Sequence, residues 1–296
     1  MPGSADFERL DLLFRRSGTL PALPSTAVQL VKSIDSGEAS AADLERIIAA
    51  DPALSAEFLR MASVASAGGA PRYSSIRGAI MLLGQRTVRS LAMSLLLRHM
   101  TSTSQKTNYF DPARFSRHSL AVAILARFLF ARKQLSGKTE SNWSIDEIFA
   151  VGLLSSLGIG LLSRVAPEVY ERVFFHAKRS GVTLEHAFQS IFGRPTTVLT
   201  AAAVEAWELP PMFSEALEHL HEPWADPQEF AALCCLNYAV VLSDMNEMGI
   251  GDWPVSVRVE PEVDAEAALT EEEIKPLIAG VQRQVADWVH PSGRAA

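Results

Sequence analysis

Three Asp-Pro pairs punctuate the chain, at Asp51-Pro52, Asp111-Pro112 and Asp226-Pro227, each directly before apolar residues at helical spacing. An aspartate there accepts from the exposed amides of a first turn. The proline next to it lacks only a donor that no helical carbonyl would have met. Capping boxes repeat the signal at Ser144-x-x-Glu147 and Thr270-x-x-Glu273, with an acidic version at Ser40-x-x-Asp43. Between these marks the apolar stripes keep the helical period: Leu44, Ile47 and Ile48, then Leu54, Phe58 and Met61. Val88, Leu91, Leu95 and Met100 form a longer stripe, as do Phe115, Leu120, Ile124 and Phe128, and later Phe230, Leu233, Leu236, Val240 and Val241. Only Val255, Val257 and Val259 alternate, and Pro254 and Pro261 confine them to a loop or one stray strand. The expected class is all-α.

With 48% hydrophobic and 21% charged residues over 296 positions, the chain can bury a sizeable core. Collagen-like, mucin-like and wholly disordered chains are excluded. Candidate breaks are Thr101–Asn108, Ser136–Asn142 and Gly249–Ala268, with the main boundary near residue 108. No repeat of 20 to 50 residues is visible, which argues against a solenoid.

The opening stretch MPGSADFERLDLLFRRSG carries charges where a secretory signal needs an apolar core. The longest uncharged run, Ile148 to Ser163, has 16 residues, short of the roughly 20 that span a bilayer. Adjacent Cys234 and Cys235 in an apolar run cannot frame a disulfide fold and point to a reduced, cytoplasmic setting. Charge is uneven. Residues 1–110 hold 12 basic and 9 acidic side chains, 111–200 hold 11 and 7, and 201–296 hold 4 and 18. A basic front and an acidic rear fit either an anionic partner or attraction between two parts of the chain. No dense basic run with interleaved aromatics occurs, which argues against general nucleic-acid binding.

Several segments, in order, resemble the HDOD domain, an output-type module of bacterial signalling proteins distantly related to the HD phosphohydrolases. LPALPSTAVQLVKSI, DPALSAEFLRMAS and SSIRGAIMLLGQRTVRSLAMSLLL are similar to its N-terminal lobe. RHSLAVAILARFL, IFAVGLLSSLGIGLLS and AWELPPMFSEALEHLHEP are similar to its second lobe. The resemblance spans roughly residues 15 to 245 and implies a two-lobed helical HDOD/HD-like bundle. Residues 1–108 would form the N-terminal lobe, 109–248 the HD-like lobe, and 249–296 an acidic loop and C-terminal helix packed on it. Pro21 and Pro24 are expected to hold an extended entry, and Gly84 to turn one helix into the next.

Catalytic HD proteins hold divalent metal with a first His, a His-Asp pair and a late Asp. The resemblance matches the first to His118 and the last to Asp244, and puts Ser155-Ser156 where the pair belongs. Neutral hydroxyls supply neither imidazole nor carboxylate charge, so no metal, no other cofactor and no catalytic residue is expected. If the four meet, they form a small polar network that fixes helix packing.

Other candidates carry less chemistry. His219-x-His221, flanked by Glu218, Glu222 and Pro223, has the look of a solvated helix end, and the family's His pair here is replaced by Leu220-His221. No Gly-x-Ser-x-Gly elbow occurs, and Gly158-x-Gly160 lacks the third glycine of a dinucleotide fingerprint. Cys234 and Cys235 are expected as buried small hydrophobes. Arg72, Arg77, Arg86, Arg89 and Arg98 gather in one region, and Arg86 and Arg89 share a helix face. A solvated face, docked in part against the acidic last third, is one reading of them. An anion or partner contact, such as a nucleotide second messenger, is the other. Ile274, Leu277, Ile278, Val281, Val285 and Trp288 stripe a last helix, suited to packing on the second lobe or to a homodimer or partner seam. The expected function is non-catalytic signal transduction through protein–protein or small-signal binding, with no membrane. The alternative is a metal-dependent HD phosphohydrolase acting on nucleotides or cyclic dinucleotides.

Overall fold

A computed structural model describes residues 2–15, 20, 25–37, 39–50, 55, 58–59, 75–102, 109–137, 139, 141 and 143–289. The described residues are mainly helical, with no strand among them. In chain order the helices are α1 (Pro2–Arg15), α2 (Ser25–Asp35), α3 (Ala41–Ala49), α4 (Ile76–Ser102) and α5 (Pro112–Leu135). They continue as α6 (Ile145–Leu154), α7 (Leu157–Val165), α8 (Pro167–Ser180), α9 (Leu184–Phe192) and α10 (Thr196–Ala206). The last are α11 (Pro211–His219), α12 (Phe230–Met245), α13 (Pro261–Ala267) and α14 (Glu271–Val289).

The punctuation is visible in the caps. Asp111 accepts from the amides of Ala113 and Arg114 ahead of α5. The boxes at Ser40/Asp43, Ser144/Glu147 and Thr270/Glu273 all close reciprocally. Asp226 departs from expectation. It accepts from Gln228 and Glu229, forming a turn, and α12 begins only at Phe230. Asp51-Pro52 lies outside the described residues. Val255 to Val259 form no strand; that stretch is tied down where the Ser256 amide donates to Gly181 O at 2.9 Å.

α2 and α3 pack on each other and on α4, and α4 also packs on α5 and α6. Gly84, at φ 78° and ψ 161°, breaks α4 into two segments, a conformation that an L side chain resists. In the second lobe α5 is central, in contact with α6, α12 and α14. α7 crosses α10 closely. A Cβ on Gly158 would sit 2.4 Å from the Thr196 carbonyl oxygen, and the Gly158 amide donates to Thr200 Oγ1 at 2.8 Å. The boundary expected near residue 108 falls outside the described residues, and α1 lies across it, against α9 and α10.

The run 145–165 is long and apolar enough for a membrane span, but it is 89% buried and bends between α6 and α7. Cys234 and Cys235 are buried in α12, and burial pushes both thiols up to about 12. The acidic rear meets the basic front in ion pairs: Arg15 with Glu205, Lys32 with Glu208, Arg132 with Glu273 and Lys133 with Glu266. Arg132 also donates to the carbonyls of Ala267 and Ala268, so α13 and α14 hold the C-terminal end of α5. α14 turns Ile278, Val281 and Val285 inward; the side chain of Trp288 lies outside the described residues.

Candidate functional site

The bend between α6 and α7 consists of Ser155 and Ser156, and it lies beside His118 of α5. Leu154 ends α6. Ser155 keeps helical angles, and Ser156 leaves them at φ −101° and ψ 9° before α7 resumes. The Ser155 hydroxyl donates back to Gly152 O at 2.8 Å. Ser156 Oγ lies 2.9 Å from His118 Nε2, and His118 Nδ1 lies 3.1 Å from Met248 O. A carbonyl can only accept, so Nδ1 carries the proton and Nε2 accepts from the Ser156 hydroxyl. Both ring nitrogens are thereby committed.

His118 is 3% exposed, and burial holds its pKa down at about 4, so the ring is neutral. Asp244 Oδ1 stands 3.8 Å from His118 Nδ1, beyond hydrogen-bond reach. Burial, reinforced by the nearby Glu185 carboxylate, pushes Asp244 up to about 7. His118, Ser156 and Asp244 do converge, then, but the aspartate stands beside the hydrogen-bonded chain and not in it.

These residues line a cavity of about 470 Å³. Its cover is the segment after α12, fastened at several points. Besides the His118 contact, Arg114 donates to Gly251 O at 2.9 Å, and Trp253 Nε1 donates to Val182 O at 2.9 Å. Lys178 pairs with Asp252 at 3.4 Å.

Two lining residues escape a reading of the sequence. Glu185, in the first turn of α9, accepts from the Thr196 amide at 2.7 Å and from the Thr196 hydroxyl. His221 is no solvated helix end: it lines the cavity, with Nε2 3.7 Å from Glu185 Oε1. A chain reversal after α11 turns it inward, and the Asn237 side chain fastens that reversal by donating to Leu220 O at 3.0 Å. The signal for His221 is its place in the family's His pair. Glu185 carries none beyond a first-turn carboxylate.

The residues do not fit a divalent ion. Both His118 nitrogens are engaged, the serines are neutral, and Asp244 is driven toward its neutral form. Among the described residues no three His, Cys, Asp or Glu side chains gather as a metal set.

Arg89 does not stand on a free face. It is buried, and its guanidinium meets Glu147 at 3.0 Å, with side-chain exposures of 10% and 16%. That contact ties it to the cap of α6. The side chain of Arg86 lies outside the described residues.

A sequence model of the HDOD domain matches residues 20–223. Among solved structures, an HDOD domain protein of unknown function from Geobacter sulfurreducens superposes with a TM-score of 0.73 at 18% identity, covering 96% of this chain and 97% of that one. A "Putative phosphohydrolase" from Shewanella amazonensis SB2B reaches 0.68 at 19% identity, covering 94% and 96%. A "Putative signal transduction protein" from Marinobacter aquaeolei VT8 reaches 0.64 at 22% identity, covering 91% of this chain and 58% of that one. At these identities the likeness speaks for the fold. A comparison with curated protein sequences finds no match.

Proposed function

Because the chain belongs to the HDOD domain family, we propose that it is a bacterial, cytoplasmic regulatory protein that acts by binding other proteins or a small signal and has no turnover of its own. The observation that carries this reading is the double commitment of His118, to Met248 O on one side and to the Ser156 hydroxyl on the other. An HD-type hydrolase needs that imidazole lone pair for metal, and beside it a carboxylate that ionises readily. Here the lone pair accepts the serine proton in a hydrogen bond, and the carboxyl that remains is held up near neutrality. The network serves packing: it joins α5, the α6–α7 bend and the segment after α12 through one buried ring.

The test is metal analysis of the purified protein, with a hydrolysis screen on phosphomonoesters, phosphodiesters and cyclic dinucleotides in the presence of Mn²⁺ or Fe²⁺. Substoichiometric metal and no turnover are expected. Stoichiometric metal together with hydrolysis would establish the phosphohydrolase alternative. Affinity capture from the native cell then identifies the partner.

A further inference from the structure

The cavity beside His118 has walls and a cover of different make. Its walls include side chains that are buried, among them His118, Ser155, Ser156 and Leu220. Its cover belongs to the stretch 246–260, which has neither helix nor strand among its described residues, and none of these is buried. The stretch is anchored to the body at both ends. It leaves α12 at Glu247, whose φ of 59° lies in the left-handed region, and there the Met248 amide donates back to Ser243 O at 3.0 Å. It rejoins the body at Pro261, the first residue of α13, a helix that packs on α12 and buries Val263. In between it lies on the cavity by its main chain: a Cβ on Gly249 would sit 2.9 Å from Asp244 Oδ1. Isolated contacts hold it down. Met248 O accepts from His118 Nδ1, and Gly251 O from Arg114. Trp253 donates to Val182 O and sets its ring at right angles to that of Phe174, with centroids 5.2 Å apart. The Ser256 amide donates to Gly181 O. The Lys178–Asp252 pair is exposed on both sides and adds little.

We propose that residues 246–260 are a strap that lifts from the cavity as one unit while the helices stay folded, with Arg114, His118 and Trp253 as its latches. A small signal then reaches the Ser155-Ser156 bend only while the strap is lifted. A segment with few buried apolar contacts opens at a free energy well below that of global unfolding. Lifting exchanges a few hydrogen bonds to main-chain carbonyls for bonds to water, each worth little net, and takes no core side chain out of its packing. Unfolding the walls would instead expose the core of the second lobe, Cys234 and Cys235 included. The strap therefore sets access. Strengthening or weakening one latch changes the fraction of molecules with an open cavity and leaves the walls as they are.

This inference rests on the regulatory reading of the same cavity in taking it as the place where a signal acts. Thiol labelling of the full chain with iodoacetamide tests it. Ser155→Cys puts a thiol on the cavity wall at a position 3% exposed, and Cys234 and Cys235, wholly buried in α12, report unfolding in the same molecule. The new thiol is expected to be alkylated on the order of 100-fold faster than either native cysteine. Adding Arg114→Met, which removes the bond to Gly251 O, should speed it about 10-fold. Trp253→Phe keeps a ring against Phe174, drops only the N–H, and should speed it about threefold. Hydrogen exchange of the unsubstituted protein gives a second reading: the Ser256 amide should exchange well before the amides of α5 and α12. Equal rates for all three thiols, a parallel rise of all three in Arg114→Met, a new-thiol rate that neither latch variant changes, or exchange of Ser256 together with α5 overturns the proposal. Hydrolysis of bis(p-nitrophenyl) phosphate with Mn²⁺, assayed on the same sample, separates the two failures. Turnover removes the regulatory reading, whereas those thiol or exchange results without turnover remove the strap alone.

Discussion

Replacing Asp244 by Asn is expected to stabilise the protein in alkaline solution and to leave it unchanged in acid. Burial and Glu185 raise the Asp244 carboxyl from an ordinary 3.8 to about 7. The folded state therefore keeps a proton over that interval which the unfolded chain has released, and stability falls as pH rises from about 4 through about 7. Each tenfold change in proton affinity is worth about 1.4 kcal/mol, so ionising the folded carboxyl costs on the order of 4 kcal/mol above pH 7. Water entering the cavity screens part of that, leaving about 2 kcal/mol to be recovered by the uncharged amide. With a urea m-value of about 3 kcal/mol/M for a chain of this length, the midpoint should rise by about 0.7 M at pH 8. Near pH 4 both side chains are neutral, and the two midpoints should coincide. The His118 contribution is common to both proteins and drops out of the difference. A midpoint shift of equal size at both pH values, or a less stable variant at pH 8, would refute the assignment of Asp244 as a buried, unpartnered acid.

His118 works in the opposite sense. Its pKa falls from 6.5 to about 4 on burial, so stability is lost as pH drops through that window, and His118→Asn should flatten the acid limb of the urea midpoint. Arg89→Met strands Glu147 in a largely buried place and should cost about 2–3 kcal/mol by urea unfolding, with partial recovery when Glu147→Gln is added. Gly158→Ala drives a methyl group into the Thr196 carbonyl oxygen and should cost about 1–3 kcal/mol in thermal unfolding, a loss that Gly280, with open space where a Cβ would sit, would not show. A chain stopped after Ala268 removes the helix that buries Ile278, Val281 and Val285 and should become insoluble; a fully soluble monomer would mean that α14 is dispensable to the second lobe.

The helices are legible because their ends are written in local chemistry. Asp111, Ser40, Ser144 and Thr270 cap where their side chains promise. Asp226 misleads because an aspartate satisfies a three-residue turn as readily as a helix start, and the residues after it decide which of the two forms. The meeting of His118 with Ser156 is within reach of the sequence, because family order fixes which helices face each other. The long distance to Asp244 is not, since it depends on how the segment after α12 brings Met248 O to the imidazole first. His221 misleads through its charged neighbours. Glu218 and Glu222 do point to solvent, but the chain reverses between them and carries the ring inward. Arg89 is ambiguous in principle, because nothing local says that a guanidinium will find a capping carboxylate 58 residues away.

α6 is fixed at both tips. At its start Glu147 bonds Ser144 through one oxygen and Arg89 of α4 through the other, while Asp146 receives the Thr87 hydroxyl. At its finish lie the two alcohols that border the cavity. Ten residues of helix make a rod about 15 Å long, too short to flex appreciably. The two alcohols and the Arg89 contact of α4 therefore stand about 15 Å apart along one helix axis.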